Sequence, residues 1–171
     1  FPQLFLGQSN WNNSKGKRKS IYIPLQMYPE ATIDYWCDQS DYLDYENSLL
    51  ILIDKLSYMF DIYVKEHPNV VGLRNPKIYN AIKKCRNVTI VPTFENSNFV
   101  LDNCSSILVW TGSAGFEAAL RGKPVLTICK PYYCFGSMFK NINNDTDLFE
   151  IYKFIIDQSL TISSDCKENL I

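Results

Sequence analysis

Short apolar runs alternate with amphipathic stretches along this chain, and the two periods predict strands and helices in turn. Ile21 to Leu25 reads as a first strand, with Pro24 near its end. From Asp44 to Met59, the residues Tyr45, Leu49, Leu52, Ile53, Leu56 and Met59 share one helical face. Asp61 to Lys65 predicts a second strand. Pro76 to Cys85 predicts a second helix, with Pro76 in the first turn, where a missing N–H costs nothing. Val88 to Val91 follows as a strand stopped by Pro92, and Glu95 to Asn103 as a helix with Asn96, Phe99 and Val100 turned inward. Ser105 to Cys129 then packs strand, glycine turn, helix, turn and strand into one stretch, with Gly122 as the helix stop. Asp147 is placed to cap a last helix, with Glu150 as its reciprocal partner and Leu148, Ile151 and Ile155 on one face.

Strands alternating with helices at this pace call for an α/β fold: a Rossmann-like parallel sheet of about five strands with helices on both faces. That domain is expected over residues 20–158, after a polar lead-in or linker at 1–19 and before a weakly patterned tail at 159–171. The chain opens without an initiator Met, so it reads as a fragment or an excised domain.

Composition narrows the classes. With 171 residues, 46% hydrophobic and 20% charged, the chain is a single domain with a real core. A net charge of −1 offers no global field for nucleic acid, and Lys15 to Lys19 is the one basic cluster, read as a solvated linker. No apolar run reaches the ~18 residues of a membrane span. Six cysteines without a CxxC pair, and one histidine, argue against a zinc cluster. Cys129, in apolar surroundings, reads as a free thiol packing as a small hydrophobe, which fits a reducing, cytoplasmic compartment.

Candidate chemistry gathers at strand C-termini, where open α/β sheets bind ligands. Thr111, Gly112, Ser113, Ala114 and Gly115 form a small-residue turn that lets a ligand approach the backbone, ahead of a helix whose first N–H groups suit an anion. His67, followed by Pro68, can donate to a phosphate oxygen or simply cap a loop. Glu117 can complement the helix dipole or accept from a ribose diol. Glu30 is a candidate general base or an ordinary loop carboxylate, and Tyr132 and Tyr133 either stack on a ligand or pack in the core. No Asp-x-Asp metal motif is present, and no metal is expected.

The order of these pieces resembles the C-terminal half of the capsule polysaccharide biosynthesis proteins, which include bacterial β-Kdo transferases of the two-domain GT-B type. The matching stretches are Pro24-Leu25-Gln26, Pro29-Glu30-Ala31-Thr32, Val64-Lys65-Glu66-His67-Pro68, Thr111 to Ala118, Gly122-Lys123-Pro124-Val125 and the Tyr132-Tyr133 loop. The resemblance implies a glycosyltransferase donor-binding domain taking a CMP- or UDP-linked sugar as substrate, without a further cofactor, and a surface glycan as acceptor. It implies that His67, Pro68 and the Thr111–Gly115 turn hold the donor phosphate and Glu117 the ribose. Gln26, Glu30, Tyr132 and Tyr133 would face sugar or acceptor, with Glu30 and His67 as the catalytic pair. An N-terminal Rossmann domain would supply the facing wall, so these residues alone are expected to be inactive. The implied setting is the cytoplasm, at the inner membrane face through peripheral association of the full-length protein. Two alternatives are a UDP-sugar epimerase-like enzyme of the same architecture and a non-catalytic nucleotide-sugar or partner-binding module.

Overall fold

The computed structural model describes residue 11, residues 18–27 and residues 44–168, with side chains as far as Leu160. Six strands form one sheet: β1 (Ser20–Pro24), β2 (Asp61–Lys65), β3 (Val88–Val91), β4 (Ser106–Val109), β5 (Val125–Thr127) and β6 (Phe139–Asn141). Their order is β3-β2-β1-β4-β5-β6, and every neighbouring pair is parallel. The helices are α1 (Tyr45–Ser57), α2 (Pro76–Ile82), α3 (Ser97–Asp102), α4 (Ala114–Leu120) and α5 (Leu148–Glu168). This is the doubly wound Rossmann-like arrangement expected from the alternation of periods.

Strand period decides which core each residue joins, because successive side chains leave opposite faces. Ile21, Ile23, Ile62, Val64 and Leu108 pack with Leu49, Leu52, Ile53 and Leu56 of α1, Ile78 and Ile82 of α2, and Ile151 and Ile155 of α5. Tyr22, Tyr63, Ile107 and Val109 face the other way, onto Val100 and Leu101 of α3, Ala118 of α4 and Trp11. Every strand except β6 is thus buried on both sides, as parallel sheets require.

Helix ends follow local chemistry. Asp44 Oδ1 accepts from Asn47 N–H at 3.3 Å to start α1, and Asn75 accepts from Lys77 N–H to start α2 just before Pro76. Gly122 sits at φ +69°, the left-handed conformation that stops α4, and Lys123 N–H reaches back to Ala118 O at 2.9 Å.

Several expectations change. A sixth strand is present. β6 is short, carries Lys140 at its centre and lies at a sheet edge, so no apolar run marks it. Asn96 does not turn inward: it is exposed and caps α3, accepting from Asn98 and Phe99 N–H, while Phe99 is 44% exposed with its ring edge on Trp11. Asp147 caps α5 as expected, but the Glu150 side chain pairs with Lys140 across the surface instead of completing a reciprocal cap. The helix then runs to Glu168, well into the stretch read as tail. Cys129 is disulfide-bonded and not a free thiol, which removes one support for the reading of a reducing compartment; Cys85, Cys104 and Cys134 are free. Among the described residues, no helix is long and apolar enough to cross a membrane.

Candidate functional site

In the observed strand order the winding direction reverses between β1 and β4, and a crevice opens outside the carboxyl ends of strands at such a switch point. A cleft of about 190 Å³ occupies that place. Pro24 to Met27 border it from β1, His67 from β2, and Val109, Trp110, Gly112, Ser113 and Ala114 from β4. Five residues singled out in the sequence, Gln26, His67, Gly112, Ser113 and Ala114, therefore meet here from three separate strand ends.

Gln26 ties the first and third of these ends together. Its Nε2 donates to Thr111 Oγ1 at 2.5 Å, and its Oε1 accepts from Thr111 N–H at 3.3 Å. Its own backbone N–H donates to the Tyr45 hydroxyl at 2.9 Å. Burial pushes the Tyr45 phenol up to about 12, so that hydroxyl stays neutral and able to accept. Thr111 itself is buried behind the cleft, holding the turn in place.

His67 stands where β2 gives way to the 3₁₀ turn Pro68–Val70. Its Nδ1 accepts from Asn69 N–H at 3.2 Å, which in the neutral ring assigns the proton to Nε2. Pro68 is exposed and opens the turn away from the cleft. Beneath the histidine lies a polar network unmarked in the sequence. Glu66 Oε1 accepts from His67 N–H at 2.7 Å, and Arg74 Nε donates to Glu66 Oε2 at 2.6 Å. Arg74 Nη2 also donates to Gln26 O at 2.6 Å, and the Tyr79 hydroxyl donates to Glu66 Oε2. Both charges are buried, Glu66 at 3% and Arg74 at 4% exposure. Burial works against the Arg74 cation, but the hydrogen bond and charge of Glu66 outweigh it and its pKa is raised. Arg74 thus joins the β1 and β2 ends as Gln26 joins β1 and β4.

The glycine turn is braced from behind. A Cβ built on Gly115 would meet Tyr133 Oη and Val109 Cγ2, each at 2.9 Å, so no larger residue fits there without a shift. Tyr133 is buried, its hydroxyl donates to Gly112 O at 2.5 Å, and burial raises its pKa. Expected beside a sugar, Tyr133 instead supports the turn from outside the cleft. Tyr132 is 69% exposed and lines a separate apolar groove with Phe116, Leu120 and Phe135. Glu117 is exposed in the first turn of α4 and does not border the cleft. Ser113 precedes α4 without a side-chain cap bond and borders the cleft. Glu30 lies outside the described residues. Among the described residues, no group of three or more His, Cys, Asp or Glu is arranged to hold a metal ion.

In the sequence, Trp110 stands out only as the end of the apolar run Ile107 to Trp110 before the glycine turn. It is 2% exposed, its ring packs in the main core against Tyr45, and its inaccessible Nε1–H has no acceptor among the described residues.

A doubly wound sheet with its crevice built from three strand ends defines a Rossmann-like domain with a candidate ligand site at the switch point. The family model described as "Capsule polysaccharide biosynthesis protein" matches residues 6–144, and the chain belongs to that family. Among solved structures it is similar to Thermosulfurimonas dismutans KpsC, a beta Kdo 2,7 transferase, at 22% identity and a TM-score of 0.59, covering 82% of this chain and 46% of that one. The beta Kdo 2,4 transferase of the same KpsC matches at 21% identity and a TM-score of 0.57, covering 82% and 44%. UDP-GlcNAc 2-epimerase from Methanocaldococcus jannaschii matches at 14% identity and a TM-score of 0.55, covering 84% and 40%. These likenesses show a shared GT-B-like fold, and the chain spans less than half the length of each. No curated protein matches it in sequence.

Proposed function

We propose that the chain is the donor-binding half of a glycosyltransferase that moves a Kdo-like sugar from a nucleotide-sugar to a surface glycan. The observation that carries the reading is the convergence of His67, Gln26 and the Gly112–Ala114 turn on one cleft at the β1/β4 switch point, in a member of the capsule polysaccharide family. The departing phosphate sits between His67 Nε2–H and the turn, where donors aimed at developing negative charge lower the barrier to its release. His67 needs no large movement, because Glu66 and Asn69 already fix its backbone and ring. The nucleoside runs outward along α4, bringing its ribose to Glu117, while Glu30 serves as base. A second Rossmann-like half of the full-length protein supplies the acceptor wall, and the protein works at the inner face of the membrane as a peripheral enzyme.

Calorimetry of the full-length protein with CMP, UDP and GDP tests the reading. One of the three binds, and His67→Ala weakens that binding at unchanged thermal stability. Silence from all three ends the transferase reading. Binding without transfer to any glycan acceptor favours a non-catalytic module of the same fold.

A further inference from the structure

The reading above leaves the apolar groove beside the glycine turn unused. It holds about 680 Å³ between Phe116 and Leu120 of α4 and the loop joining β5 to β6, which carries Tyr132 and Phe135. These four side chains are 46%, 73%, 69% and 80% exposed, and a cluster of large apolar groups left in water marks a binding surface. Tyr133 is its centre. The rings of Phe116, Tyr132 and Phe139 stand around it at centroid distances of 6.1, 5.4 and 5.9 Å. Tyr133 is buried and its hydroxyl donates to Gly112 O, so the rings packed on it have a fixed base. The same bond ties groove to cleft, since Tyr133 lines the one and Gly112 borders the other.

Charge narrows the occupant. Among the described residues, no charged side chain lines the groove. Of the cations next to it in the chain, Arg121 pairs with Asp102 and Lys140 with Glu150, so neither is free for an anionic membrane surface. Uncharged aromatic walls suit a molecule with apolar faces and hydroxyl edges. A pyranose ring is built that way: its C–H face packs on an aromatic ring while its hydroxyls point to the rim. The rim here offers the Ser137 hydroxyl and the peptide groups around Gly136, which sits at φ +87° with open space where a Cβ would stand. We infer that the groove is a glycan-binding subsite, in which Phe116, Tyr132 and Phe135 stack on the apolar faces of neutral sugar units of the acceptor chain. This rests on the glycosyltransferase reading and adds where a long acceptor is held. Contacts so far from the reacting end raise affinity for the chain without entering the chemistry.

The test uses the full-length protein, with maltohexaose and chitohexaose as neutral probes and glucose and N-acetylglucosamine as their single units. Calorimetry should show binding of at least one hexamer, with its monomer at least tenfold weaker. Deuterium exchange of wild type should then show residues 131–139 protected by that hexamer. Phe135→Ala changes a side chain that is 80% exposed. It should weaken the hexamer about tenfold, the loss of one stacked ring, and leave nucleotide affinity as in wild type. Silence from both hexamers, or protection elsewhere in the chain, overturns the inference. So does a loop 131–139 already protected in the free protein, because another part of the protein then fills the groove, or a second copy if the protection grows with concentration. Nucleotide binding without hexamer binding overturns this inference alone. Hexamer binding at the groove without any nucleotide overturns the transferase reading and leaves the groove as the site of a glycan-binding module.

Discussion

Gln26 and Thr111, 85 residues apart, grip each other through both ends of one side-chain amide. Each belongs to the loop leaving a different strand, and those strands are neighbours at the place where the sheet reverses its winding. The pair ties the two loops together beside the cleft. Gln26→Ala removes both bonds, each worth about 0.5–1.5 kcal/mol net. Calorimetry should show nucleotide affinity reduced about tenfold, with a modest fall in the urea midpoint. An unchanged affinity would mean the two loops hold their spacing by packing alone.

Arg74 and Glu66 are a buried pair, and removing one partner strands the other charge. Arg74→Met should destabilise the fold by about 3–5 kcal/mol, whereas Arg74→Met combined with Glu66→Leu should recover most of that loss. Chemical denaturation of the three proteins decides it. A single variant as stable as wild type would show that water reaches Glu66.

Gly115→Ala sets two effects against each other. Alanine gains about 1 kcal/mol of helix propensity over glycine, but its methyl meets Tyr133 Oη and Val109 Cγ2 at 2.9 Å. Both neighbours are buried, so the overpacking cost of about 1–3 kcal/mol should win. Adding Tyr133→Phe removes one of the two contacts and should return part of the lost thermal midpoint. A stabilised Gly115→Ala would mean that the turn has room the structure does not show.

Lys65 ends β2 at 4% exposure, and burial, opposed in part by Glu66 and Glu95, pulls its pKa down. The unfolded chain then holds the proton more tightly than the folded one, so stability rises with pH between the lowered pKa and the ordinary 10.5. Below that window the full cost of the buried cation is present. Lys65→Met should be more stable than wild type at neutral pH, and its stability should lose the alkaline rise. Parallel urea titrations from neutral to alkaline pH would show this, and identical slopes would place the ammonium in water.

The strand–turn–helix–strand around Gly112 was legible because its signals are local: an apolar run, small residues, a helix former and a glycine stop all lie within one short stretch. His67 was legible for a weaker reason, as a polar residue at the end of a strand. Arg74 was not. Its function depends on Glu66 eight positions back and on Gln26 48 positions back, and nothing in its own neighbourhood distinguishes it from a surface arginine. Tyr133 stays open in the sequence for the same reason, since a tyrosine at a strand end looks the same whether it faces a ligand or props up a turn. Trp110 was hidden by belonging to an apolar run, where its ring was accounted for and its N–H was not.

Because Arg74 bonds both the Gln26 carbonyl and the carboxylate that holds His67, and Gln26 in turn holds Thr111, the three strand ends are cross-braced. None of them can swing without breaking one of these polar contacts. A ligand reaching this cleft meets donors already aimed, and its arrival freezes out little motion in the protein. Among the described residues, a closing movement would then carry these three strand ends as one body, like a fixed jaw against which something else shuts.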